Sequence, residues 1–180
     1  MDVGPHHPLR RLFAGLVEHA FQTEVGLCDP NLTDYMADLL VSFTHVDRLN
    51  AIREAHGKRW EQIAFMLMLQ REERAATGPE RDREVYRHIG DYTLFWAGIY
   101  PEQLRRTSRH PEDVLLDYVT QGKRSYAIVS DLADDDDRPP PTLFRRLSDD
   151  FEFCIHGLGL VRRGWEEVVH QGGEPGELIY

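Results

Sequence analysis

The stretch REVYRHIGDYTLFWAGIYPE, residues 83–102, decides the fold. Val85, Ile89, Tyr92, Trp96 and Ile99 recur at steps of three and four, which puts them on one face of an α-helix turning about 100° per residue. Gly78 and Pro79 mark the start of this helix, because proline suits a first helical position, and Pro101 ends it. No series of period-two strands competes with this pattern anywhere in the chain.

Working towards the N-terminus, residues 59–75 carry IAFMLML at their centre and are apolar on nearly every side, as expected of a helix enclosed by others. In DPNLTDYMADLLVSF, Asn31 or Thr33 is positioned to cap a helix whose stripe is Leu32, Tyr35, Met36, Leu39, Leu40 and Phe43. A first helix opens at Pro8 and buries Leu9, Leu12, Phe13, Leu16, Ala20 and Phe21, until VGLCDP interrupts it. Towards the C-terminus, EQLRR forms a short turn, and a helix restarts at Pro111 with core positions Val114, Leu115, Tyr118, Val119, Tyr126 and Val129. Gly122 shares that side and permits close helix approach.

Four consecutive aspartates and three prolines make residues 134–141 an exposed linker, since like charges repel and proline cannot extend a helix. A last helix then runs over residues 142–169 through Leu143, Phe144, Leu147, Phe151, Ile155 and Leu158, with Gly157 and Gly159 as a kink or a close crossing. The tail from residue 171 to 180 is expected to be mobile. The expectation is an all-α bundle of about six mainly antiparallel helices, one domain over residues 1–180.

Bulk properties narrow the function classes. The 180 residues can bury a core without help from disulfides, and the formal net charge of −10 disfavours nucleic acid and anionic membranes as partners. Two isolated cysteines, Cys28 and Cys154, suit a reducing compartment, and no segment is long and apolar enough for a membrane span, so the cytoplasm is the expected location. QGKRS at residues 121–125 lacks the upstream glycine of a phosphate-binding loop, and no nucleophile elbow is present.

Two segments share one spacing: EVYRH, with Glu84 and His88, and EFCIH, with Glu152 and His156. Residues four apart project side by side on a helix, so each pair can present a carboxylate and an imidazole to one metal ion. Glu24, Asp47 and Asp91 are weaker additional ligands. Carboxylate-bridged dimetal bundles use Glu-x-x-His, one residue shorter. The wider spacing resembles the Asp/Glu-x-x-x-His helix of heme-oxygenase-like dimetal oxidases, over five residues at a time. If the two pairs meet at one site, the expected metal is iron, manganese or zinc and the enzyme is of an oxidase or hydrolase type. Surface pairs of the same kind are common and contribute only a few tenths of a kcal/mol.

Tyr92, Trp96, Tyr118 and Tyr126 offer an aromatic pocket for a flat or apolar ligand, although aromatics at helical spacing more often pack. The leading expectation is a small helical protein that binds a protein partner or small ligand without catalysis, with a homodimer as one form. The alternative is the metal-dependent bundle enzyme.

Overall fold

The computed structural model describes residues 8–44, 79–106 and 111–172. Seven α-helices occupy them: α1 (Pro8–Glu18), α2 (Pro30–Thr44), α3 (Pro79–Ile99), α4 (Pro101–Arg106), α5 (Pro111–Leu132), α6 (Pro141–Asp149) and α7 (Phe151–Gly172). There is no strand among the described residues. Every helix but α7 begins on a proline, whose missing N–H falls where the first turn has no acceptor and whose φ is already helical. α1 runs on into a π-helical turn, His19–Val25, closed by Gly26 at φ 81°, a left-handed conformation that glycine adopts without strain.

Contacts between named residues fix the packing. Gly90 meets Tyr126 and Thr93 meets Gly122, so α3 and α5 run antiparallel, and they form the most extensive helix contact of the fold. A Cβ at Gly122 would overlap the Phe151 ring and stand 2.7 Å from Thr93 Oγ1. Glycine there lets three helices meet. α1 lies antiparallel to α7, with the Phe13 and Trp165 rings edge to face at 5.2 Å. α2 lies parallel to α3, joined by the stacked rings of Phe43 and Phe95 at 4.6 Å. The core of apolar side chains is continuous across all these helices.

Several local expectations change. Asp29, rather than Asn31 or Thr33, caps α2: its carboxylate accepts the Asn31 N–H at 3.0 Å. The helix expected over residues 142–169 divides at Asp150, not at its glycines. Of the two readings of Gly157, a kink or a close crossing, the structure has the close crossing: a Cβ there would stand 2.5 Å from the Phe21 ring. EQLRR belongs to a six-residue helix, α4. The apolar helix expected over residues 59–75 lies outside the described residues, as do residues 173–180 of the tail, whereas Gln171 and Gly172 end α7. No helix of the described residues is long and apolar enough to cross a membrane.

Candidate functional site

Asp91 sits where α3 passes from a mixed polar sequence into eight consecutive buried residues, Tyr92 to Ile99. Its carboxylate is held from two other helices. Tyr35 of α2 donates its hydroxyl to Asp91 Oδ1 at 2.5 Å, and Tyr126 of α5 donates to the same oxygen at 2.8 Å. The helical period delivers both phenols: Tyr35 lies in the apolar stripe of α2 and Tyr126 in that of α5. Burial, then the nearby Asp91 charge, raises both hydroxyls well above the ordinary tyrosine value, so each stays protonated and donates.

The second oxygen, Oδ2, is 3.9 Å from Arg87 Nε, outside hydrogen-bond range. Arg87, one turn earlier on α3, donates from Nε to the Tyr35 hydroxyl at 3.1 Å, and its guanidinium lies 5.2 Å from the Tyr35 ring centre and 5.7 Å from that of Phe144. Those contacts set the guanidinium against both rings, whose planes stand at 87° to each other. Burial pushes the Asp91 carboxyl above its ordinary range, outweighing Tyr35, Arg87, Tyr126 and His88, each of which favours the carboxylate.

These groups open onto a cleft of about 820 Å³. It is lined by Asn31, Asp34, Asp38, Leu39 and Ser42 of α2, by Arg138, Pro139 and Pro140 of the connection before α6, and by Leu143 of α6. The acidic connection is folded against the helices: Arg83 of α3 pairs with the Asp137 carboxylate, which also accepts the Asp134 N–H at 2.7 Å. Arg138 donates to the Asp137 carbonyl at 2.8 Å. Asp38 is paired with Arg10 at 2.7 Å, and the Ser42 hydroxyl donates to the Leu39 carbonyl at 2.8 Å.

The residues singled out from spacing are distributed differently. Glu84 and His88 are exposed on α3, and Glu152 and His156 are exposed on α7. Glu152 accepts both contacts of Lys123 Nζ, at 2.8 and 2.9 Å, and this bond holds its carboxyl below the ordinary glutamate range. Glu24 is exposed, 3.9 Å from His19. Asp47 lies outside the described residues. Among the described residues no three His, Cys, Asp or Glu side chains gather where one metal ion could be held. Tyr92, Trp96 and Tyr118 pack in the core, with Tyr92 6.3 Å from Trp96 and 6.4 Å from Tyr118 between ring centres; Tyr126 alone of that set reaches the cleft carboxylate. Cys154 is buried, and burial pushes its thiol up, away from reactivity.

Spacing along the chain does not single out Tyr35, Arg87 or the 138–140 wall. The one local sign is a carboxylate, Asp91, set directly before an unbroken buried run. Compared with known proteins, the chain matches no family model, no curated protein and no solved structure.

Proposed function

We propose that the protein binds a small polar molecule in the Asp91 cleft without transforming it. The observation that carries this reading is the Asp91 carboxylate itself. One oxygen is fixed by two buried hydroxyls from separate helices, and the other belongs to a cleft of the size that encloses small-molecule ligands. Keeping a charge there costs desolvation that a neutral amide acceptor would avoid, and a titratable group perturbed by burial beside a specific charge partner in a cleft is a candidate for a functional site.

Three further polar groups of the lining favour recognition over catalysis. Asp38, Ser42 and Arg138 are already tied to fixed partners, so they shape the walls and do not form a nucleophile with its base. Cytoplasmic residence belongs to the same proposal, supported by two thiols that stand apart, Cys28 exposed and Cys154 in the core.

Thermal melting of the wild type and of Ser42→Trp, across a panel of small polar molecules, tests the reading. A ligand at a hundred times its Kd adds about 2.7 kcal/mol of stability, an easily measured rise in Tm. The expected result is a chemical class that raises Tm in the wild type and fails to do so in Ser42→Trp, which itself melts cooperatively. A panel with no stabilising class, or a rise that survives Ser42→Trp, refutes the proposal.

A further inference from the structure

Resting on the binding reading above, we infer that the ligand is a free α-amino acid with an apolar side chain, its ammonium on Asp91 Oδ2 and its carboxylate on the Arg87 guanidinium. Oδ1 of Asp91 already accepts from Tyr35 and Tyr126, both obligatory donors, so a ligand bonding this carboxylate does so at Oδ2 and must bring a donor. Among the described residues Oδ2 receives no hydrogen bond, and the nearest nitrogen of Arg87 stops at 3.9 Å.

Arg87 spends only Nε, on the Tyr35 hydroxyl; its terminal nitrogens make no hydrogen bond among the described residues, and its side chain is 43% exposed in the cleft. That leaves a forked donor whose geometry matches a carboxylate. An open acceptor and an open fork one helical turn apart call for a molecule with a cation and an anion on neighbouring atoms. A lone amine would leave Arg87 unanswered, and a lone carboxylate would face Asp91 with like charge.

Charge around the pair points the same way. In the cleft, Asp34, Asp38 and Asp91 are set against Arg87 and Arg138, with Arg10 held on Asp38 from outside the lining, so the cleft has no large excess of either sign to attract a simple ion. Leu39, Leu143, Pro139 and Pro140 supply the apolar surface for a side chain. The clamp itself is rigid: Tyr35 and Tyr126 belong to α2 and α5, and both rings pack on Phe144, at 5.7 and 6.1 Å.

Titration calorimetry with L-leucine, L-leucine methyl ester and N-acetyl-L-leucine tests the inference, run on the wild type, Asp91→Asn and Arg87→Met. Asparagine still accepts from both tyrosines, so Asp91→Asn is expected to fold. Leucine should bind the wild type, and blocking either charged end should weaken binding by about 10- to 100-fold, the worth of one charge-assisted hydrogen bond. Arg87→Met should erase the difference between leucine and its ester, and Asp91→Asn the difference between leucine and its acetyl derivative. Equal affinity for all three compounds, or discrimination that survives both substitutions, overturns the inference. Failure of every amino acid to bind also overturns it, and the wider ligand panel with Ser42→Trp then shows separately whether the cleft binds anything.

Discussion

Helix α3 is two helices in one. From Asp82 to Asp91 it presents charged side chains to water and to the cleft, and from Tyr92 to Ile99 every residue is buried. The backbone is the same throughout; the surroundings differ. The second half is enclosed by α5, α7 and Phe43 of α2, so its energy comes from apolar area and close packing. The first half is bound by directed contacts, Arg83 to Asp137 and Asp91 to two tyrosines, which add little net stability but set geometry. One half is held by packing and the other by directed polar contacts at the edge of the cleft.

The largest effect should come from the packed half. Phe95 is 1% exposed and stacked on Phe43, so Phe95→Ala should cost about 3–5 kcal/mol in chemical denaturation. A loss below 1 kcal/mol, on the order of a surface change, would break the division between the halves.

Gly122→Ala should follow, at about 1–3 kcal/mol, because the added methyl meets Phe151 and Thr93. The cost should shrink in a Phe151→Leu background, since the two sites share one contact. Strict additivity in that double-mutant cycle would show that the glycine is not needed for close approach.

Asp91→Asn sharpens the comparison from the polar side, through pH. Burial raises the Asp91 carboxyl above its ordinary 3.8, so between the unfolded and folded values the native state holds the extra proton. Stability from this group is therefore present at low pH and lost as pH rises through the folded value. Asparagine has no such loss, so Asp91→Asn should gain on the wild type as pH rises from about 4 through the folded value. Denaturation curves for the pair over that range give the slope directly; a flat or opposite slope contradicts the assigned cost of burial.

The smallest effect belongs to a pair outside both halves. Lys123 and Glu152 are 37% and 57% exposed, so Lys123→Ala should cost no more than about 0.2–1 kcal/mol, and less at high salt. A loss comparable to that of Phe95→Ala would mean that the surface of α7 carries stability that its exposure does not account for.

Much of the fold is legible in the chain, because helical period and proline starts are both local signals. Val85, Ile89, Tyr92, Trp96 and Ile99 announce α3 without reference to anything else, and Pro8, Pro30, Pro79, Pro101, Pro111 and Pro141 each open a helix. The break at Asp150 carries no such marker, whereas Gly157 reads from the chain as either a kink or a close crossing and is the latter, a place for the Phe21 ring. The cleft is less legible for a different reason. Asp91 shares a helical stripe with Glu84 and His88, which suggests a metal ligand, yet its hydrogen-bond partners are 35 and 56 residues away. By period alone, Tyr35 and Tyr126 are core residues. Their rings obey that reading, and only the hydroxyls depart from it.

The wall formed by Arg138, Pro139 and Pro140 has a consequence for how this protein can diversify. None of the residues between α5 and α6 contributes a side chain to the buried core, and Arg83 with the Ser130–Pro141 hydrogen bond fastens the segment at its base. Exchanging a few residues of that connection would reshape one side of the cleft while the helices and the Asp91 clamp stay as they are. Variation of the cleft at these positions is thereby uncoupled from the packing that holds the helices together.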